Sequence, residues 1–235
     1  MTDLPEFIVG MPTCNEPRDL LTETLAAIHQ SSRQPSKILI IDNGDVALQS
    51  GRDWNDRTPI TIARPGTNIG CAAAWNRLHK YAGLKTLIII NADCAVAPDT
   101  FERMLEAPAP AVVLALGFSC FRIDAGIRDI VGDFDEAFYP AYFEDTDYRR
   151  RLQLADIEPI EWPRIVSKIV YPGRESVTSG ITHGKHDPDG YQGWRAEKLE
   201  WFRDRYEANK KLYADKWGGE PGHETFNQPF GGVSR

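Results

Sequence analysis

Two clusters of carboxylates and amides stand out for the chemistry their types and spacing permit. Asn91-Ala92-Asp93 closes an apolar run, Leu87-Ile88-Ile89-Ile90, and sets two polar groups two residues apart. Four consecutive aliphatics are too few for a helix core and too apolar for an exposed strand. They read as the central strand of a parallel sheet covered on both faces. Ligands of open α/β sheets collect beyond the carboxyl ends of the strands, where a carboxylate suits a hard divalent cation holding a diphosphate. The competing reading is a plain turn that caps a helix starting near Asp99, and these residues alone leave both open. The second cluster, Glu144-Asp145-Thr146-Asp147, lies among Phe134, Phe138, Tyr142 and Phe143. Burying acids among aromatics is costly unless they have partners or a task. Acids in the first turn of a helix complement its dipole, but three in four residues exceed what a cap requires. His183 and His186 fall in the Gly-rich polar stretch 178–186. They are either metal ligands or part of an ordinary exposed loop.

These groups need a frame, and the sequence supplies a β–α–β rhythm from its start. Phe7 to Met11 reads as a strand ending at Pro12-Thr13-Cys14-Asn15-Glu16. A helix follows with Leu20, Leu21, Leu25 and Ile28 on one face, and Lys37 to Ile41 is a second strand running into Asp42-Asn43-Gly44. That order implies parallel strands with right-handed crossovers. Ile60 to Ala63 is a weaker strand, followed by the loop Arg64 to Gly70 and a helix over 71–81 that opens on Cys71-Ala72-Ala73-Ala74, small enough for a ligand or another backbone to come close. Leu87 to Asn91 is the fourth strand and Ala111 to Gly117 another apolar run, so the first ~100 residues have the layout of a nucleotide-binding half. A short strand is expected at Ile165 to Tyr171. The last long element, 194–217, is helical and carries Trp194, Trp201, Phe202, Tyr206, Tyr213 and Trp217. Such a stripe packs on the core or on a twin subunit in a homodimer; a membrane-surface helix is the sharper alternative. The tail 218–235 has five glycines and two prolines and little periodicity.

Composition narrows the function classes. A 235-residue chain with 42% hydrophobic and 26% charged residues is an ordinary globular protein with room for a sizeable core. A net charge of −7 weighs against broad nucleic-acid binding, which needs a basic footprint. Within 194–217, however, seven Lys/Arg stand against five Asp/Glu. The four cysteines, at 14, 71, 94 and 120, lack Cys-x-x-Cys spacing and read as buried reduced thiols of a cytoplasmic protein. No apolar run reaches the ~18 residues of a membrane span, and the N-terminus lacks a signal peptide's regions. Work at a membrane would then be peripheral, at its inner surface.

Together these stretches resemble the inverting glycosyltransferases of the GT-A class, family 2 type, over roughly the first 190 residues. Pro12 to Glu16 resembles the loop after the first strand, Ile41-Asp42-Asn43-Gly44 the base-recognition turn, and Asn68-Ile69-Gly70 through Asn76 the Asn-x-Gly…Asn signature. Asn91-Ala92-Asp93 occupies the Asp-x-Asp position. Phe134-Asp135-Glu136 with Phe143-Glu144-Asp145-x-Asp147 is similar to the acceptor-side acidic motif. Two departures stand out: Asn91 replaces the first acid, and Cys14 replaces a more frequent aromatic.

The resemblance implies an α/β fold: a mostly parallel, Rossmann-like GT-A sheet flanked by helices, with a C-terminal helix and an irregular tail. Residues 1–190 would form the transferase domain, 1–100 binding the nucleotide sugar and 101–190 facing the acceptor, while 191–235 would pack on the same domain. The implied donor is a nucleoside-diphosphate sugar of UDP, dTDP or GDP type. Pro12, Thr13, Glu16, Asp42, Asn43, Arg64, Asn68, Gly70, Asn76, Asn91, Ala92 and Asp93 would line it, with Asp42 accepting from a base N–H. Asp93 would hold Mn²⁺ or Mg²⁺. His183 would be a second ligand, with His186 as fallback, and an imidazole ligand favours manganese. Asp145 would be the general base that takes the acceptor hydroxyl's proton, Glu144 would orient the acceptor, and Asp147 would pair with one of Arg149 to Arg151. The acceptor would be a glycan or glycoconjugate, the acidic charge weighing against a modified nucleic acid. Two alternatives remain: a non-catalytic sugar-nucleotide binder, and a sugar-1-phosphate nucleotidyltransferase, although the latter's basic Gly-rich loop is missing after the first strand. Neither a dehydrogenase glycine motif nor a P-loop is present.

Overall fold

The structure, a computed structural model, describes residues 4–14, 18–44, 47–48, 58–161 and 196–233. The expected strand 165–171 and the side chains of Glu16, His183 and His186 lie outside them. Seven strands form one sheet: β1 (Phe7–Thr13), β2 (Lys37–Asp42), β3 (Ile60–Ala63), β4 (Thr86–Ile90), β5 (Val112–Leu114), β6 (Cys120–Ile123) and β7 (Ile160–Glu161). Their order is β3-β2-β1-β4-β6-β5-β7. Only β6 runs against its neighbours, pairing antiparallel with both β4 and β5. Among the described residues the α-helices are α1 (Arg18–His29), α2 (Cys71–Ala82), α3 (Thr100–Glu106), α4 (Ala125–Val131), α5 (Glu144–Leu154) and α6 (Ala196–Trp217).

The apolar runs that suggested doubly covered strands are divided residue by residue between two cores. Val9, Met11, Ile38, Ile40, Ile88 and Ile90 face α1 and α3, meeting Leu21, Leu25, Phe101 and Met104. Ile8, Leu39, Ile41, Leu87 and Ile89 face the other way, onto Trp75 and Leu78 of α2 and Tyr148 and Leu152 of α5. A period of two with both halves apolar is what a strand between two helical layers requires. The chain builds β1, β2 and β3 outward in one direction and returns to place β4 on the other side of β1. The crevice at this reversal lies beyond the carboxyl ends of β1 and β4, next to Thr13 and Asn91-Ala92-Asp93. β6 and α4 carried no clear sequence signal, since β6 is four residues long and interrupts the parallel pattern.

The C-terminal helix is fastened to the domain by one carboxylate. Asp147, fully buried on α5, accepts from Trp217 Nε1 at 2.9 Å and from Arg151 Nε at 2.9 Å. It also pairs with Lys216 Nζ at 2.6 Å. Lys216 reaches on to Asp135 at 2.6 Å, and Arg151 donates to the carbonyls of Val131 and Asp133. Phe138, Phe143, Tyr213 and Trp217 form a third apolar cluster over this network. The tail returns across it: Arg150 donates to Phe226 O, and Tyr213 donates its hydroxyl proton to Glu224. Asp147→Ala removes the acceptor shared by Lys216, Arg151 and the Trp217 indole N–H, so it should lower unfolding free energy by about 3–5 kcal/mol in urea denaturation. A loss under 1 kcal/mol would show that the network is not what fastens α6.

Candidate active site

The donor-side residues gather where β1, β2 and α2 meet. Pro12 and Thr13 end β1 opposite Ile41 and Asp42 of β2. Asn43 N donates to Thr13 O at 2.9 Å, and Asn43 Nδ2 donates to Gly70 O at 3.3 Å, tying β2 to the start of α2. Thr13 Oγ1 and Asn43 Oδ1 are buried with no hydrogen-bond partner among the described residues. Buried polar atoms left in this way at a strand end are placed to meet a ligand.

Asp42 behaves differently from expectation. Its two oxygens accept from Gly44 N at 3.0 Å and Leu48 N at 2.8 Å, and Arg64 Nε stands 3.5 Å away. A carboxylate buried this deeply needs those donors, so it closes its own loop, and Asn43 Oδ1 beside it is a buried acceptor without a partner among the described residues. Arg64 also donates to Gly44 O at 3.1 Å. Asn68 accepts from Gly70 N at 2.8 Å and donates to Cys14 Sγ at 3.6 Å. Asn76, also expected at the donor, clamps another loop. Its Nδ2 donates to Phe134 O and Glu136, and its Oδ1 accepts from Phe134 N at 3.0 Å.

Asn91, Ala92 and Asp93 form the turn after β4. Asn91 N donates to Ser119 O at 2.8 Å and Thr24 Oγ1 donates to Ala92 O at 2.6 Å, which fixes the turn from both sides. The turn does not cap the next helix: Asp99 precedes α3 and pairs with Arg103. Burial lifts the Asp93 carboxyl to about 6, and its only donor among the described residues is its own backbone N–H. No group of three His, Cys, Asp or Glu side chains is gathered for a metal among the described residues. The donor set is therefore one hard carboxylate oxygen group, and a cation beside it would restore the ionised form.

The acceptor-side acids begin α5, and the loop before them is shaped by close contact with α2. Gly70 has φ +84°, and a Cβ there would sit 2.9 Å from the Tyr139 ring and 3.0 Å from Pro140 O. Glycine is thus required by the approach of this loop. Cys71 N donates to Pro140 O at 2.7 Å and Tyr139 Oη to Asn68 O at 3.2 Å. Tyr142 and Phe143 both adopt positive φ, 79° and 71°, a conformation costing of order 1–3 kcal/mol per non-glycine residue that clusters at functional sites. The chain then enters α5 with three acids in three environments. Asp147 points into the core network. Asp145 is half-buried, its Oδ1 accepting from Thr146 N at 2.7 Å. Glu144 is buried, takes a hydrogen bond from the Cys71 thiol, and leaves Oε2 without a partner among the described residues. Cys71 was legible only as a small residue. The thiol is half-buried, as is that of Cys14, which corrects the expectation of four buried thiols.

Burial, reinforced by the charge of Asp145, raises Glu144 to about 8 from an ordinary 4.5. The folded chain then holds a proton that the unfolded chain has lost between pH 4.5 and 8. Stability contributed by this group falls as pH rises through that window, and the loss is complete above it. Glu144→Gln removes the titration. Its stability relative to wild type should improve between pH 4.5 and 8.5 by about 3–5 kcal/mol, read by chemical denaturation at both pH values. An equal difference at both would show that Glu144 ionises normally.

The glycosyl transferase family 2 model matches residues 8–120, from β1 into β6. A comparison with curated proteins finds no match. Among solved structures, a mannosyltransferase from Pyrobaculum calidifontis, in complex with GDP-Man and Mn²⁺, superposes with a TM-score of 0.59 at 17% identity, over 74% of this chain and 59% of that one. GalNAc-T7 with UDP, GalNAc and Mn²⁺ gives 0.56 at 12% identity, over 69% and 43%. TarS 1-349 from S. aureus with UDP-GlcNAc gives 0.52 at 12%, over 68% and 57%. The chain thus spans about half the length of these proteins, and at such identities the likeness is one of fold. The family model and the fold point the same way: residues 8–120 are similar to the family 2 glycosyl transferases, and the chain has the GT-A fold.

Proposed function

We propose that this protein is a metal-dependent, inverting glycosyltransferase that moves a sugar from a nucleoside diphosphate to an acceptor hydroxyl, with Asp145 as general base. The observation that carries the reading is the meeting of donor and acceptor elements at Cys71. Cys71, the first residue of α2, hydrogen-bonds Glu144 at the start of α5 and feels the charges of Asp145 and of Cys14 at the end of β1. The sugar donor's diphosphate belongs in the crevice beyond β1 and β4, and an acceptor hydroxyl belongs beside Asp145.

Thr13 and Asn43 would take the base through their two buried polar atoms, which have no partner among the described residues. Asp93 would hold Mn²⁺ or Mg²⁺ together with diphosphate oxygens, and the ion would supply neutralisation of the charge that grows on the leaving diphosphate. His183, the second expected ligand, lies outside the described residues. The relatives that bind GDP-Man or UDP with Mn²⁺ support a nucleotide-sugar donor of either base. Asp145 would accept the hydroxyl proton as the oxygen attacks the anomeric carbon from the face opposite the diphosphate. One displacement of this kind inverts the configuration. Glu144, protonated at neutral pH, would donate a hydrogen bond to the acceptor without adding a second charge beside the base. The acceptor is proposed to be a glycan or glycoconjugate, the location cytoplasmic; among the described residues no helix is long and apolar enough to cross a membrane.

Calorimetric titration of UDP, dTDP and GDP with and without Mn²⁺ tests the donor half. One nucleotide should bind only with metal, and Asp93→Ala should abolish that binding. Asp145→Asn should keep it while turnover falls by about 10²–10⁴-fold. Absence of nucleotide binding under every condition would overturn the proposal. Metal-dependent binding without turnover in wild type would favour a non-catalytic binder.

A further inference from the structure

The C-terminal helix lies wholly beyond the family-matched residues, yet its contacts fall on the loop that leads into Glu144 and Asp145. Asn209 of α6 is 4% exposed. Its Nδ2 lies 2.9 Å from Ala141 O and 3.3 Å from both Tyr139 O and Tyr142 O. An amide nitrogen has two N–H donors, so three carbonyls have converged on one group. They converge because Tyr142 and Phe143 turn the chain through positive φ. Residues at spacings of three and four share a helix face, and Tyr206 and Tyr213 flank Asn209 in that way. Tyr206 packs its ring on Tyr142 at 5.2 Å and Phe143 at 5.3 Å, and Tyr213 packs on Phe143 at 5.8 Å. On its opposite side the same loop is pinned to the start of α2 by Cys71 N, Tyr139 Oη and the missing side chain of Gly70.

We propose that α6 is a positioning element of the transfer reaction and that Asn209, by gathering the carbonyls of residues 139, 141 and 142, sets where Asp145 stands relative to the donor. The inference rests on the glycosyltransferase reading above. Asn209 touches neither substrate nor base, and acts through the loop. The loop is wedged between α2 and α6, so loosening one side shifts the start of α5 while the donor crevice, built on β1, β2 and β4, stays intact. Misplacement by an ångström can cost ~10²-fold in rate, so the loss should appear in kcat and leave donor affinity alone.

The test compares wild type, Asn209→Ala and the near-isosteric Asn209→Asp. UDP-glucose, dTDP-glucose and GDP-mannose are offered in turn with Mn²⁺, and nucleotide release to water gives kcat and donor KM. Calorimetry gives the stoichiometry of nucleotide binding, and amide hydrogen exchange reports on each segment. Both variants should lose about 10–100-fold in kcat. Donor KM and one nucleotide per chain should be unaltered, and exchange should accelerate only within 139–147. Unaltered exchange there, or faster exchange with wild-type kcat, would overturn the role. So would a stoichiometry that falls in step with kcat, since that would mark Asn209 as a purely structural residue. Wild type that releases no nucleotide from any donor would sink the transfer reading and the positioning role with it, a result distinct from any failure of the variants alone.

Discussion

The burial of Asp147 is the constraint on which the packing of α5, α6 and the loop before α5 depends. A carboxylate removed from water must be met by donors, and here they come from two elements far apart in sequence: Arg151 on its own helix, and Lys216 with Trp217 on α6. The result is a C-terminal helix held at a fixed height against α5, with Phe138 and Phe143 enclosed between them. The loop that precedes α5 inherits its shape from that docking on one side and from α2 on the other. Its two positive-φ residues are tolerated because both sides hold them.

Three acids within four residues at the start of one helix would repel one another and overload a simple cap. The fold separates them by environment instead. Asp147 is met by cations in the core, burial and the charge of Asp145 push the Glu144 carboxyl up, and Asp145 is left half-buried. A motif that looks redundant in sequence thus becomes a core anchor, a buried acid and a half-buried carboxylate. Neighbouring acids with separated roles are a recurring device for acid–base chemistry at neutral pH.

Much of the frame was legible because its signals are local. The runs at 7–11, 37–41 and 87–90 are short, doubly apolar and followed by polar turns, and each is a strand of the sheet. Asp147 was expected to pair with one of Arg149 to Arg151, and the partner is Arg151, one helical turn on. What escaped were the terms that depend on distant partners. Nothing near Asp42 in sequence announces that Gly44 N and Leu48 N will occupy its oxygens, so its open appearance as a base acceptor was misleading. Asn76 has the same history, drawn to Phe134 and Glu136 nearly sixty residues away. The reversal of β6 escaped because four buried residues look alike in either direction. Cys71 and Asn209 gave no signal, since one is a small residue in an alanine run and the other an asparagine in a charged helix.

The account's central claim is a single displacement at a sugar's anomeric carbon, driven from the side of Asp145 and released on the side of Asp93. Proton NMR of the first product, formed by wild type with Mn²⁺ and an α-linked nucleotide sugar, tests it directly if recorded before the free sugar re-equilibrates. The account predicts that the β-anomer appears first, with nucleoside diphosphate released in equal amount. Initial appearance of the α-anomer would contradict it, because retention requires a second carboxylate or other group to act as nucleophile in place of the single displacement.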